Sequence, residues 1–558
     1  MKPPINSDLD ILVVGAGPTG LVMAVEAARH GLSCRIIDKA PEPSDRSKAL
    51  VVQARTLEVF DAMGSAIVLE AIDCGQPMRI INAYADSCLI AQMQFDGLDS
   101  PYPFPLILEQ SQTERILGKH LETLGLKIER QVELVDFKQG DECVTATLHH
   151  PDGYKEVLRA SWLVGCDGAH SVVRHILDLS FEGTPYEEEF LLADVQVHWT
   201  MPPAQGYFFF TSRGIMAVIP MHGDKRYRLI ATRDKSSAKD YQDPTLEEMQ
   251  NIVGARVHMH AELSDPVWLS GFRLHRRIVP KLRVGRVFLA GDAAHIHSPA
   301  GGQGMNTGIQ DAFNLAWKLA LVTKGVGRSI LLDSYHQERH PVAKAVLRGS
   351  DLLFRTFLGN NPMVIKSVRI IAPLLLHREW VQRRVRNIVS ELEINYRRSP
   401  IVGEYRKRFF KYKTKLVAGD RAPDGMVTMY PDGRDTRLFE LFRSTKFTLL
   451  IFSGTNCSLE SCQNLASICN TIQSKYGQYI TVYLVLAFET PQPDLDLEGS
   501  TLLDYEKSLH HKYEAGSNCL YLIRPDGYIG FKSQPINTEY LQEYLSKIFI
   551  KGKQQVLI

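Results

Sequence analysis

An apolar run, Ile11-Leu12-Val13-Val14, breaks into Gly15-Ala16-Gly17-Pro18-Thr19-Gly20, and a helical stretch follows through His30 to a stop at Gly31. A second apolar run, Ser33 to Ile37, ends on Asp38. Strand, glycine turn, helix, strand and acid in this order leave few folds open, because together they make the βαβ unit that binds dinucleotides. Gly15 permits the tight turn, Gly17 lets backbone approach a pyrophosphate, and Gly20 allows the helix to pack closely on the strand. The helix start offers free N–H groups and the positive end of its dipole to phosphate. Asp38 is placed to accept hydrogen bonds from a ribose.

Two later stretches repeat the theme of an apolar strand ending on glycine and acid. Leu163-Val164-Gly165-Cys166-Asp167-Gly168 leads into a helix start at Ser171-Val172-Val173-Arg174. Arg286-Val287-Phe288-Leu289-Ala290-Gly291-Asp292 is followed by Pro299-Ala300-Gly301-Gly302-Gln303-Gly304-Met305-Asn306 and a helix from Thr307 through Leu321. Asp292 can hold a sugar hydroxyl, and Gly302 and Gly304 leave room for a ring system against backbone.

A chain of 558 residues exceeds one ordinary domain and predicts two to four. From Phe190 the periodicity turns strand-like: Phe190 to Trp199, Gln205 to Thr211, Gly214 to Pro220 and Arg226 to Thr232 form an antiparallel sheet. The βα pattern resumes near Val284. Between Leu352 and Lys415 the pattern is helical and basic, with Arg383, Arg384, Arg386, Arg397, Arg398, Arg406, Lys407 and Arg408; such a run is usually a solvated helix face. Gly419 to Asp424 breaks it. A separate α/β unit follows, with strands Phe447 to Phe452, Ile480 to Ala487, Cys519 to Ile523 and Tyr528 to Phe531.

Lys and Arg number 64 against 63 Asp and Glu, a net charge of +1, so the overall basic footprint of a nucleic-acid binder is missing. No apolar run reaches the roughly 18 residues of a membrane-spanning helix, and no secretory signal is visible. The expectation is a cytoplasmic protein without nucleic acid or membrane span. Its nine cysteines, an odd number, are expected to be reduced.

Taken together, the three motifs resemble those of the group A FAD-dependent aromatic hydroxylases, the flavoprotein monooxygenases that include phenol hydroxylase and polyketide hydroxylases. The resemblance implies an α/β fold: a Rossmann-like FAD-binding domain, an antiparallel-sheet substrate domain and a C-terminal thioredoxin-like domain. The corresponding boundaries are 1–180 and 281–350 for the two parts of the FAD domain, 181–280 for the sheet, 351–418 for a helical segment and 419–558 for the thioredoxin-like unit.

By the same resemblance Gly15, Gly17 and Gly20 contact the FAD pyrophosphate and Asp38 the adenosine ribose, where a longer Glu is more usual. Asp292 binds the ribityl or pyrophosphate region. Gly302, Gly304, Met305 and Asn306 lie near the isoalloxazine, with Pro299 against its face. Gln110 matches a flavin-contacting Gln, Arg46 an Arg near the flavin, and Asp167 belongs to a motif tied to both FAD and NADPH.

The implied reaction uses NADPH or NADH and molecular oxygen to hydroxylate a small aromatic or polyketide-like substrate through a flavin hydroperoxide. The cofactor carries the difficult step, so no protein acid or base is assigned. Phenol hydroxylase places an acid just before its Gln-x-Arg-Thr-Leu-Glu stretch; here Leu50 precedes Gln53-Ala54-Arg55-Thr56-Leu57-Glu58, which argues against a simple phenol. Tyr207 to Phe210 could wall a pocket, although an aromatic strand is more often core. His222 and His275 have only structural readings, and His295 with His297 lacks further ligands for a metal. Cys457 and Cys462 stand where a thioredoxin carries its redox pair, but four residues separate them, so packing or a homodimer contact is the expected role. An FAD-dependent reductase or dehydrogenase without oxygen insertion, or a non-catalytic FAD-binding protein, would keep part of this pattern.

Overall fold

The computed structural model describes residues 8–43, 49–233, 242–297, 301–358, 378–406, 415–487 and 500–550. Strand Leu9–Val14 lies between Cys34–Asp38 and Lys155–Gly165 and runs parallel to both; Val287–Leu289 adds in parallel beyond Lys155–Gly165. The first run is almost wholly apolar because helices and neighbouring strands cover it on both faces. Helix Gly304–Thr323 packs against the fingerprint helix Pro18–Arg29 and is buried on nearly every side.

The second sheet has eight strands. Gly206–Thr211, Gly214–Pro220 and Arg226–Thr232 match the expected strands closely, whereas Glu182–His198 begins eight residues ahead of the expected Phe190; its alternate residues Leu191, Ala193, Val195 and Val197 form a core with Met249, Ile252 and Val253. Tyr207 and Phe209 join that core, while Phe208 and Phe210 point to the other face and are half-buried. The sheet also recruits Ile80–Ala85 and Cys88–Gln94 from the chain ahead of the second motif, and Gly206–Thr211 pairs with Ile80–Ala85 in parallel. Periodicity could not indicate this, since it identifies a strand without its neighbour.

The third sheet contains Phe447–Phe452, Ile480–Leu486, Cys519–Ile523 and Ile529–Gln534. Part of the stretch expected to be helical is here a strand: Gly403–Arg406 pairs in parallel with Ile529–Gln534. Gly403 suits that position, because a Cβ would meet the rings of Tyr544 and Phe531 at 3.0 and 3.1 Å. The basic run is not uniformly solvated either. Arg386, on helix Glu379–Val389, is buried and donates to Glu379 and the Gln94 carbonyl, while Arg383 and Arg384 are exposed. Lys407 and Arg408 lie outside the described residues.

A buried charge cluster ties this sheet to the first. Arg524 donates to both carboxylate oxygens of Glu338 at 2.7 and 2.9 Å and also to Asp526. Lys318 Nζ reaches Glu338 at 2.7 Å, and Asn314 bridges Glu338 and Asp526. Burial alone would raise the Glu338 carboxyl, but Arg524 and Lys318 outweigh it and hold it far below the usual carboxylate range. Burial likewise lowers Lys318, to about 8. Helix Ala54–Met63 forms a second seam: Glu58 accepts from Arg55 and Arg421, and Arg443 donates to Asp61.

Removing one member of a buried, hydrogen-bonded cluster leaves its partners charged and unpaired. Glu338→Ala is therefore expected to lower the unfolding free energy by about 3–5 kcal/mol, read from urea denaturation. Arg79→Ala, which breaks the exposed Arg79–Asp96 pair, should cost less than about 1 kcal/mol. Similar losses in the two variants would contradict this account.

Candidate functional site

The three glycine-acid motifs, distant in sequence, sit at the C-terminal ends of adjacent parallel strands. Val14 is level with Gly165, and Gly165 with Leu289. Ligands bind open α/β sheets at such strand ends. Gly15 takes a left-handed φ of 101°, and a Cβ there would stand 2.4 Å from the Cys166 carbonyl oxygen. A Cβ on Gly20 would stand 1.9 Å from the Gly15 oxygen. These two glycines serve turn and packing. Gly17, which caps helix Pro18–Arg29, has ordinary extended backbone and open space where its Cβ would be.

Asp38 accepts from the N–H groups of Ala16 and Ala40 at 2.7 and 2.8 Å, with Arg130 3.7 Å away, so it braces the glycine turn at the edge of the site. Asp167 is largely buried. One of its oxygens accepts from the Val173 N–H at 3.1 Å, the other has no partner in the protein, and burial raises its carboxyl above the usual range. Asp292 sits exposed in the short 3-10 turn Gly291–Ala293.

Gln110 opens helix Gln110–Thr123. It donates to Glu114 at 2.8 Å, and its backbone N–H bonds the Ala49 carbonyl. Gly304 begins helix Gly304–Thr323 facing open space, and Met305 packs partly into the core. Gly302 has a φ of 62°, with Val51 2.9 Å from where a Cβ would lie. The Asn306 side chain turns inward: its oxygen accepts from the Gln53 N–H, and its nitrogen donates to the Val51 and Gly302 carbonyls. Arg46 and Pro299 lie outside the described residues.

Open space at Gly17 and Gly304, together with the unpartnered Asp167 oxygen, fits a bound dinucleotide whose phosphates meet helix N-termini and whose hydroxyls need acceptors. Among the described residues no cluster of three His, Cys, Asp or Glu side chains could hold a metal.

Sequence reasoning missed the residues that hold this arrangement. Asp311, on the buried helix, accepts from the Gly291 N–H at 3.1 Å, bonds His295 at 2.6 Å and takes Arg339 Nε at 2.7 Å. Burial would raise its carboxyl, but His295 and Arg339 hold it down at about 2. His297 bonds His295 at 2.9 Å, and burial first, then His295, pushes it well below the ordinary imidazole range. Gln53 donates to the Gly301 carbonyl at 2.8 Å. Gly308 admits Thr19, whose hydroxyl lies 2.4 Å from where a Cβ would be, so the first and third motifs touch. The signal available for Asp311 was a lone carboxylate in helix Gly304–Thr323, next to the apolar Ile309, Ala312 and Phe313.

Beside Gln110 and the Val51 strand lies a cavity of about 400 Å³, lined by Leu50, Ile107, Leu108 and Met221 with Asp73, Cys74, Glu109, Gln112 and His222. That volume suits a small organic ligand. His222 is an exposed part of its wall. No described helix is long and apolar enough to cross a membrane.

Residues 8–350 match a family model described as an FAD binding domain. The chain is 32% identical over 534 residues to pentachlorophenol 4-monooxygenase of Sphingobium chlorophenolicum, covering 94% of each protein. Its fold is similar to an anhydrotetracycline hydroxylase from Streptomyces rimosus, with TM-score 0.75, 26% identity and coverage of 97% and 99% of the two chains. It is also similar to an aklavinone-11 hydroxylase solved with FAD and aklavinone, with TM-score 0.74, 25% identity and coverage of 97% and 99%.

Gly17→Val should cost at most about 1 kcal/mol of urea stability, the loss of a glycine N-cap, since its extended backbone and open surroundings otherwise accept a side chain, yet weaken FAD binding at least tenfold, about 1.4 kcal/mol. Retained affinity in a fluorescence titration would place the pyrophosphate elsewhere. A pH dependence follows from His297. Below an unfolded pKa of about 6.5 the unfolded chain binds a proton that the folded imidazole refuses, so stability falls as pH drops. Thermal midpoints should decline from pH 7 to 5, and less steeply in His297→Gln. Parallel slopes would show that His297 is not held neutral.

Proposed function

Because the chain belongs to the FAD binding domain family, we propose that it is an FAD-dependent monooxygenase that uses NAD(P)H and molecular oxygen to hydroxylate an aromatic or polyketide-like small molecule. The observation that carries this reading is the convergence of three motif-bearing strand ends, with the glycine-rich loop of the third motif held against Val51, next to the cavity-lining Leu50. Gly15, Gly17, Gly20 and Asp38 then hold the adenosine and pyrophosphate half of FAD, with Asp167 and Asp292 toward its middle. Gln110, Gly302, Gly304, Met305 and Asn306 border the ring system, and Arg46 and Pro299 complete the proposed contacts. The reading also includes the domain division given above and a thioredoxin-like C-terminal unit.

When bound and reduced by NAD(P)H, FAD supplies the activation of oxygen and its transfer to the substrate. The protein positions the reactants and keeps water away. Leu50, Ile107, Leu108 and Met221 present an apolar wall to an aromatic face, while Glu109, Asp73 and His222 can hydrogen-bond substrate hydroxyls at the polar end. Leu50 cannot take a phenol proton. An extended polyphenol with hydroxyls at one end suits this lining better than a simple phenol, and one structural neighbour was solved with aklavinone bound.

The test is mass spectrometry of products formed from a panel of phenols and polyketide-like aromatics under labelled oxygen. One labelled oxygen atom per hydroxylated product is expected. NAD(P)H oxidation without label in any product would indicate a reductase, and no NAD(P)H oxidation at all a non-catalytic FAD protein. Met221→Trp should fill part of the cavity and lower substrate-dependent turnover at least tenfold while FAD content stays at the wild-type level. Unchanged turnover would remove the cavity from the substrate path.

A further inference from the structure

Four residues separate Cys457 from Cys462, a spacing without the redox-pair pattern, yet the fold brings the two thiols together. Ser458 caps helix Leu459–Tyr476, its hydroxyl accepting the Ser461 N–H at 3.3 Å and its carbonyl the Cys462 N–H at 3.0 Å. Cys457, one residue before the cap, therefore lies against the start of the helix that carries Cys462. Their sulfurs are 2.7 Å apart, close to the roughly 2.05 Å of a disulfide bond. Cys457 is half-buried and packs partly on the core, whereas Cys462 is fully buried within it.

We propose that Cys457 and Cys462 form a reversible intramolecular disulfide by exchange with a small-molecule disulfide of the glutathione class. Cys457, the more accessible thiol, enters first. Its thiolate attacks one sulfur of the small disulfide, the small S–S bond breaks, one small thiolate leaves, and a mixed disulfide forms on Cys457. Cys462 then loses its proton and attacks the Cys457 sulfur; the mixed bond breaks and the second small thiolate leaves. The two protein thiols give up two electrons and two protons, and the small disulfide gains them as two thiols. Burial, reinforced by the hydrogen bond with Cys457, pushes the Cys462 thiol up to about 12, so the more accessible Cys457 is the thiol that enters first.

The bridge would pin the chain before Ser458 to the start of a helix whose inner face contributes Cys462, Leu465, Cys469 and Ile472 to the core. Neither cysteine belongs to the proposed cofactor site, so the modification acts on the C-terminal unit and leaves the flavin's surroundings unchanged.

The experiment incubates the FAD-loaded full chain with oxidised glutathione, alkylates the remaining thiols, and maps peptides by mass spectrometry. Cys457 and Cys462 should escape alkylation, and the peptide holding them should lose two hydrogens. Because Cys469 shares that helix, the bridge must persist in Cys469→Ser. Cys462→Ser should trap a glutathionyl group on Cys457, and dithiothreitol should restore both thiols in the wild type. NAD(P)H oxidation should change less than twofold between oxidised and reduced protein. Alkylation of both cysteines after incubation, or a bridge that moves to Cys469, overturns the proposal; should a variant fail to fold, the wild-type peptide map alone decides.

Discussion

Helix Gly304–Thr323 is buried on nearly every side, and a helix so placed must find a partner for each polar group it carries. Most find one in a different part of the chain; the Trp317 indole N–H and the Gln310 side-chain oxygen have no hydrogen-bond partner. Asn306 holds the strand and loop around Val51 and Gln53. Thr307 and Gln310 meet Glu391, which burial keeps protonated up to about 8. Asp311 binds the Gly291 turn, His295 and Arg339, and Asn314 with Lys318 meets Glu338. An apolar version of the helix could slide or rotate among its neighbours. The polar set allows one position, and that position brings the three motifs together.

The same distribution explains what could be read in advance. The motifs were legible because glycine meets a local demand: a left-handed turn at Gly15, a close approach at Gly20, open space at Gly17. The cluster around Asp311 was not, since Arg339 and His295 reach it across separations that no periodic pattern marks. Strand Gly403–Arg406 was hidden for a related reason, as its extended form comes from pairing with Ile529–Gln534 and not from its own polar, basic residues. The spacing of the two cysteines lacks the redox-pair pattern and pointed to packing; spacing alone did not show that a capped helix start sets their sulfurs side by side.

Helix Ala54–Met63 connects regions that the sequence presents as unrelated. Gln53, just before it, bonds the Gly301 carbonyl of the glycine-rich loop. Arg55 donates to the Asp526 carbonyl and lies over the Tyr528 ring, and Glu58 accepts from Arg421. The C-terminal unit is thus fastened to the element that supports the loop. These charged groups sit among protein atoms, where the interaction is stronger than in water and breaking it is costly.

Arg524 lies close to the end of the chain, whereas Lys318 and Glu338 are made much earlier. During synthesis on the ribosome the helices carrying Lys318 and Glu338 emerge before the guanidinium that completes their neutralisation. Until it arrives, Glu338 has Lys318 but lacks its bidentate partner, and the burial seen in the finished protein is incompletely compensated. The order of translation thereby leaves the helices of Lys318 and Glu338 without this bidentate partner until the last sheet has been made.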